Sequence, residues 1–227
     1  MRDSSKEVVL EILNRSKPKT ILDAPCGKGW LADKLTYTAT IDGIDLFEQD
    51  PKQYRVFRKH DLDYGLPDDL PKYDAVISCE GIEHFGNPDL FLKTAHDRLA
   101  SNGMLLVTTP NVWYPAARMQ YLLRGFFPSF PCLTGKISRG THMHIMPWSF
   151  PQLYLYLKLN HFENIKLHWQ PLSKPKHSIE KVLALPQKLY CKNKAKKSNG
   201  ETKQFWETTM SEASLYGRNL IVTATKP

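Results

Sequence analysis

The chain has 227 residues, enough to bury one sizeable core, and carries 31 Lys and Arg against 23 Asp and Glu, a formal charge of +8. Its four cysteines, Cys26, Cys79, Cys132 and Cys191, show no C-x-x-C spacing, which argues against a zinc module or a disulfide scaffold. No apolar run reaches the roughly 18 residues of a membrane span, and the first seven residues lack a secretion-signal core, so a cytoplasmic, reducing setting is expected.

Residues 7–14 read as a short helix. Thr20 to Leu22 is an apolar run ending in Asp23, followed by a tight turn with Gly27 and Gly29. Glycine at both places lets backbone approach a ligand closely. An amphipathic helix is expected from Trp30, with Leu31 and Leu35 inward and Asp33 and Lys34 outward. Thr38 to Ile44 reads as a second strand ending in Asp45, and Arg55 to Lys59 as a third ending in His60-Asp61-Leu62. Tyr73 to Ser78 is a fourth strand, running into Cys79-Glu80-Gly81-Ile82-Glu83-His84. Asn87 opens a helix that continues to Leu99. Asn102-Gly103 is read as a turn, with Met104 to Val107 as a fifth strand ending in Thr108 to Asn111. Strands alternating with helices predict an α/β fold on a parallel sheet. Each polar candidate falls at a strand's carboxyl end, where such sheets bind ligands.

Beyond residue 111 the character changes. Residues 1–111 hold 14 Lys and Arg against 18 Asp and Glu, and residues 112–227 hold 17 against 5. The basic half favours an anionic substrate, an anionic membrane surface or nucleic acid. Val112 to Ser138 is rich in aromatics, prolines and arginines and reads as a lid, or as a segment for a bilayer interface. Trp148 to Leu159 reads as a helix, and Phe162 to Trp169 and Leu220 to Thr225 as strands. Between those strands, Ser178 to Leu185 reads as a helix ending at Pro186. Cys191 to Gly200 reads as a mobile, lysine-rich tip.

The chemistry centres on Glu80, Glu83 and His84, with His142 and His144 downstream. A histidine near neutral pKa can take a proton from a hydroxyl, and a carboxylate can orient it. His84 is the candidate base or orienter, with Glu83 or Glu80 behind it and His144 closing from the other side.

The run Asp23-Ala24-Pro25-Cys26-Gly27-Lys28-Gly29 resembles the first motif of class I S-adenosylmethionine (SAM) methyltransferases, with Pro25 where a glycine is common. The resemblance implies a Rossmann-like, doubly wound sheet of seven strands, mostly parallel with an antiparallel last strand and helices on both faces. It implies SAM as methyl donor, held by Asp23, Ala24, Pro25, Cys26, Gly27 and Gly29, with Leu46 and Cys79 completing the cleft. Asp45 would take the ribose hydroxyls, and Asp61 and Leu62 the adenine. On this reading residues 1–227 form one domain: a SAM-binding core at 18–111, a lid-like insertion at 112–147 and a basic excursion at 170–218.

The layout is similar to bacterial methyltransferases of the ubiquinone-biosynthesis-like group that act on glycans and small molecules. That implies O-methylation of a glycan, lipid-linked sugar or other anionic small molecule, with peripheral contact at the inner face of a membrane. A second resemblance is to small-RNA 3′-terminal 2′-O-methyltransferases. It implies a divalent metal on Glu80, Glu83, His84 and His144, an RNA partner, and Trp148 at the matching aromatic. A SAM-binding scaffold without catalysis is the third alternative, against which the intact Asp23, Gly27, Gly29, Asp45 and Asp61 speak.

Overall fold

A computed structural model describes residues 3–48, 51–128, 130, 144–171 and 173–227. Seven strands form one sheet in the order β3-β2-β1-β4-β5-β7-β6. They are β1 (Thr20–Asp23), β2 (Thr40–Asp45), β3 (Val56–Lys59), β4 (Tyr73–Cys79), β5 (Leu99–Pro110), β6 (Glu163–Leu167) and β7 (Asn219–Thr225). The first five pair in parallel, while β7 runs antiparallel to both β5 and β6. The helices are α1 (Asp3–Ser16), α2 (Pro88–Arg98), α3 (Pro115–Arg124), α4 (Phe150–Leu159), α5 (Ser178–Lys196), α6 (Gly200–Thr209) and α7 (Glu212–Tyr216).

Strand residues alternate between two faces, and each face has its own core. Leu22, Val76, Leu105, Val107, Leu220 and Val222 meet α2 and α4 on one side. Ile21, Ala75, Ile77, Leu106 and Ile221 meet Val9 and Leu13 of α1 on the other. Both faces being covered explains why the strands read as apolar runs. Helix starts follow local chemistry. Asn87 caps α2 by accepting from the Leu90 N–H at 3.2 Å, with Pro88 in the first turn. Ser149 caps α4 by accepting from the Gln152 N–H at 3.3 Å.

Four expectations need correction. The helix after the glycine turn is a single turn, in which the Leu31 carbonyl accepts from Lys34 and Leu35 at 3.1 and 3.2 Å. The Thr36 N–H then bonds Asn14 Oδ1 of α1 at 3.1 Å, which turns the chain back toward β2. Asn102-Gly103 lies inside β5, where Asn102 takes φ +61° and the pairing with β4 slips a register. The structure thus accommodates the turn signal as a strand irregularity.

Pro186 does not end its helix, since α5 continues to Lys196. Proline removes one N–H bond from the carbonyl four residues back, and that residue, Val182, is 58% exposed, so water can replace the lost donor. The lysine-rich stretch is the far half of α5, not a mobile tip. Ala184, Cys191 and Ala195, spaced seven and four apart, are buried along one face. The hairpin with α6 is fastened by Tyr190 against Trp206, ring centroids 5.8 Å apart.

Candidate active site

The carboxyl ends of β1, β2 and β4 open onto a cleft of about 590 Å³. A second cavity, of about 340 Å³, lies between α4, β6 and α6, away from those ends. Its charges satisfy one another: Glu201 accepts from Tyr154 at 2.7 Å and pairs with Lys158 at 3.0 Å. It offers no comparable chemistry, and the larger cleft is the candidate site.

Gly27 and Asp45 build one end of the cleft. Gly27 has φ +52°, and a Cβ there would meet nothing within 4 Å, so its backbone faces open space. Its N–H donates to Asp45 Oδ2 at 2.9 Å, and the Phe47 N–H donates to Oδ1 at 3.0 Å. Each carboxylate oxygen has a second lone pair for a hydroxyl. Asp61 caps the short 3-10 turn Leu62–Tyr64, accepting from the Asp63 N–H at 3.0 Å. Leu46 and Leu62 supply apolar wall, and Pro25, Cys26 and Cys79 also line the cleft.

Asp23, Ala24 and Gly29 lie beneath this surface and do not line it. Asp23 is 1% exposed and accepts from the Tyr54 hydroxyl at 2.6 Å. Burial pushes its pKa up to about 7; the Tyr54 bond works against that rise and the negative charge of Asp45 adds to it. A Cβ on Gly29 would sit 2.6 Å from Pro51 Cβ, so that glycine serves packing. The Cys26 thiol is pushed up to about 12 by burial and the two aspartates, which makes it inert as a nucleophile.

The other end is built where β4 leaves the sheet. Glu80 takes φ +53°, and its N–H bonds the Thr108 carbonyl of β5 at 2.9 Å. Its carboxylate accepts from Asn219 Nδ2 at 2.9 Å and Thr108 Oγ1 at 3.3 Å. Glu83 is 1% exposed and accepts from Thr109 Oγ1 at 3.0 Å. Burial pushes its pKa up to about 8, with the charge of Glu80 adding to the rise. Its other oxygen faces His84 Nε2 at 3.9 Å.

The Glu83 carbonyl takes the N–H groups of Ile145 and Met146 at 2.9 and 3.1 Å, which fastens the His144 segment over it. The rings of His84 and His144 then meet edge to face, centroids 4.9 Å apart.

Glu83, His84 and His144 place ligand atoms within 4.8 Å of one another. One carboxylate and two imidazoles fit a divalent transition metal. Glu80, named with them in the sequence, stands outside this group, its carboxylate engaged with Asn219. Trp148 is fully buried, packed against Tyr156 with centroids 5.3 Å apart, so it cannot stack on a ligand in the cleft. His142 lies outside the described residues. Several groups at the site escaped sequence reasoning, Lys6, Trp30 and Asn219 among them. Lys6 and Trp30 both line the cleft, with the Lys6 ammonium 5.6 Å from the indole centroid. Asn219 reaches Glu80 from the far end of the chain. Asn219 carries no motif; Lys6 could have been found only by placing α1 across the sheet.

The cleft fits SAM in size, in an acidic group at the end of β2, and in an exposed glycine backbone at the end of β1. Residues 2–166 match the family model described as a methyltransferase domain. The chain is 29% identical over 139 residues to the mitochondrial ubiquinone biosynthesis O-methyltransferase of Rattus norvegicus, covering 54% of this chain and 38% of that one. It is 29% identical over 140 residues to the ubiquinone biosynthesis O-methyltransferase of Idiomarina loihiensis, covering 56% of this chain and 54% of that one. The chain thus spans only between 38% and 54% of the length of these two curated relatives. A SAM-dependent methyltransferase structure from Archaeoglobus fulgidus shares the fold with a TM-score of 0.54 at 16% identity, over 97% of this chain and 94% of that chain. With a family match over most of its length and the strand order and cleft described above, the chain belongs to the class I SAM-dependent methyltransferase family.

Proposed function

We propose that the chain O-methylates an anionic small molecule, glycan or lipid-linked sugar, with His84 as base or orienter of the acceptor hydroxyl. SAM supplies an electrophilic methyl group, so the protein's task is alignment and removal of one proton. The observation that carries this reading is His84, backed by buried Glu83 and faced by His144, at the β4 end of the cleft that Asp45 and Gly27 open. Asp45 binds the ribose hydroxyls, Asp61 and Leu62 hold the adenine, and Cys79 and Pro25 fill the wall between. Glu83 fixes the imidazole, and Glu80 sets the loop through Asn219 and Thr108. The named O-methyltransferase activity of the curated relatives supports oxygen as the acceptor atom. Among the described residues no helix is long and apolar enough to cross a membrane. Peripheral contact is supported by Leu122 and Leu123 of α3, 74% and 78% exposed beside the cationic Arg124.

The test is methyl transfer from radiolabelled SAM to glycan, lipid-linked and soluble phosphorylated acceptors, with wild type and His84→Ala. Label in an O-methyl product that depends on His84 supports the reading. Transfer to nitrogen, or full activity in His84→Ala, overturns it.

The cluster of Glu83, His84 and His144 favours one second reading, a metal-assisted 2′-O-methyltransferase acting on RNA ends. A manganese titration of the protein saturated with S-adenosylhomocysteine separates the two. One tight site lost in His144→Ala would bring RNA ends forward, and no binding would leave His84 acting alone.

A further inference from the structure

Arg118 stands one turn into α3, its backbone N–H bonded to the Tyr114 carbonyl at 3.0 Å. Its Nε and Nη2 atoms are sealed from solvent and have no hydrogen-bond partner among the described residues. Burial holds its pKa below the ordinary value, and no acidic group acts in the other direction. A guanidinium remains charged at any working pH, and N–H donors taken out of water without an acceptor are costly. The surrounding sequence supplies no internal partner, for no Asp or Glu occurs between Asp97 and Glu163. Nε and Nη2 are also the side edge of the guanidinium, two parallel donors that match two oxygens of a phosphate or carboxylate.

A second arginine, Arg218, lies against Tyr114 at the start of α3. Its guanidinium lies 3.6 Å from the centroid of the Tyr114 ring. One nitrogen, Nη2, bonds Glu180 at 2.6 Å, while Nη1 is buried and has no hydrogen-bond partner. Tyr114 and Arg118 are four residues apart, which puts them on one side of the α3 start, the side against which Arg218 lies. Glu180 neutralises one of the two cations, so the cluster keeps one net positive charge.

Neighbours in the chain tie these arginines to the candidate site. Val112 bonds the Trp148 carbonyl at 3.3 Å and the Trp113 indole bonds the Pro147 carbonyl at 2.9 Å, close in sequence to His144. Asn219, the neighbour of Arg218, is the residue that bonds Glu80.

We infer that Arg118 and Arg218 form an oxyanion subsite that grips a phosphate-type group of the methyl acceptor. The anion site stands on its own geometry; its assignment to the acceptor rests on the function proposed above. Two sources share this chemistry, a soluble phosphorylated molecule and a phospholipid headgroup.

The test is thermal melting of the whole chain at constant ionic strength, in chloride and in inorganic phosphate, for wild type, Arg118→Met and Arg118→Lys. Phosphate at ten times its dissociation constant should raise the wild-type Tm by about 3–6 °C beyond any general salting effect. Arg118→Met should melt at or above wild type in chloride, because two sealed donors without acceptors are gone, and should lose the phosphate-specific rise. Arg118→Lys keeps the charge without the two-pronged edge and should retain only part of it. If Arg118→Met does not fold, the reduced response of Arg118→Lys decides alone. An equal rise in wild type and variants overturns the subsite.

Co-sedimentation with phosphatidylglycerol vesicles then separates the sources. Pelleting that depends on Arg118 puts the anion on a lipid headgroup, and a phosphate response without pelleting puts it on a soluble acceptor. Calorimetry with S-adenosylhomocysteine is read separately. Failure to bind it alongside an intact phosphate response would overturn the methyltransferase mechanism and leave the anion site standing.

Discussion

His84 and His144 meet edge to face with centroids 4.9 Å apart, while Glu83 Oε1 lies 3.9 Å from His84 Nε2 beneath them. The two rings come from segments 60 positions apart in sequence and are brought together by the Glu83 carbonyl, which fixes Ile145 and Met146. The backbone of Glu83 therefore places one imidazole while its carboxyl group faces the other. Removing the His84 imidazole should lower turnover by about 10²–10⁴ while S-adenosylhomocysteine affinity stays within about threefold, about 0.7 kcal/mol of binding free energy. Steady-state kinetics beside calorimetry on His84→Ala gives both numbers, and a parallel loss of binding would show that the ring shapes the cleft instead.

Asp45 is tied to Gly27 and Phe47 by both of its oxygens. Asp45→Ala should weaken S-adenosylhomocysteine binding by about 100-fold or more, since charge-assisted bonds to two hydroxyls and the set of the glycine turn go together. Asp45→Asn, which keeps one carbonyl oxygen, should fall between. Calorimetry that finds equal affinity in Asp45→Ala would remove the residue from the cofactor site.

The Asp23 carboxyl titrates near 7 in the folded chain against an ordinary 3.8, so the native state holds a proton that the unfolded chain releases between those values. The sign follows: its contribution to stability is full below 3.8, declines as pH rises through the window, and is gone above about 7. Asp23→Asn cannot titrate, so its Tm should fall less steeply than wild type between pH 4 and 7, by about 2–4 °C for each kcal/mol involved. Parallel melting curves across that range would refute the assignment.

Gly81 marks a contact that any side chain would break. A Cβ there would stand 2.2 Å from Cδ of Pro25, whose ring has little freedom to yield. Gly81→Ala should cost about 1–3 kcal/mol, measured by urea unfolding, and should weaken cofactor binding because Pro25 belongs to the cleft wall. Wild-type stability in this variant would mean that the two loops part readily.

Leu122 and Leu123 contribute to the surface, not the core. The double change Leu122→Ser, Leu123→Ser should shift stability by no more than about 0.5 kcal/mol yet reduce pelleting with anionic vesicles several-fold. Unaltered pelleting would leave the basic half of the chain without a role for these leucines.

Much of the sheet was legible because parallel strands buried on both faces read as apolar runs, and their ends carry Asp23, Asp45 and Glu80 in order. What failed had a physical cause in each case. Leu31 and Leu35 have helical spacing, but a hydrogen bond from Thr36 to α1 turns the chain away after one turn. Pro186 carries a stop signal that loses because it sits behind an exposed residue, Val182, where water can reach the backbone, while Ala184, Cys191 and Ala195 are buried along one face. Charge alone made residues 191–200 look unstructured, and buried small residues between the lysines were the overlooked sign. At the site, Glu83 and His84 were visible as neighbours, whereas Asn219 and Lys6 reach it only through tertiary pairing. Trp148 shows the converse, a residue singled out by its motif position whose ring went to the core.

The place of β7 between β5 and β6 has a consequence for how the molecule is made. Among the described residues, strand β6 pairs with β7 alone, and Ile221 completes the core face that Val9 and Leu13 begin. During synthesis, residues 163–167 must wait unpaired until residue 225 has emerged, and α1 waits with part of its packing surface absent. Asn219 and Arg218 arrive with that same strand. The loop of Glu80 to His84, the surroundings of Arg218 and the sheet are thus completed together, so a nascent chain short of that strand has neither a finished sheet nor a finished cleft.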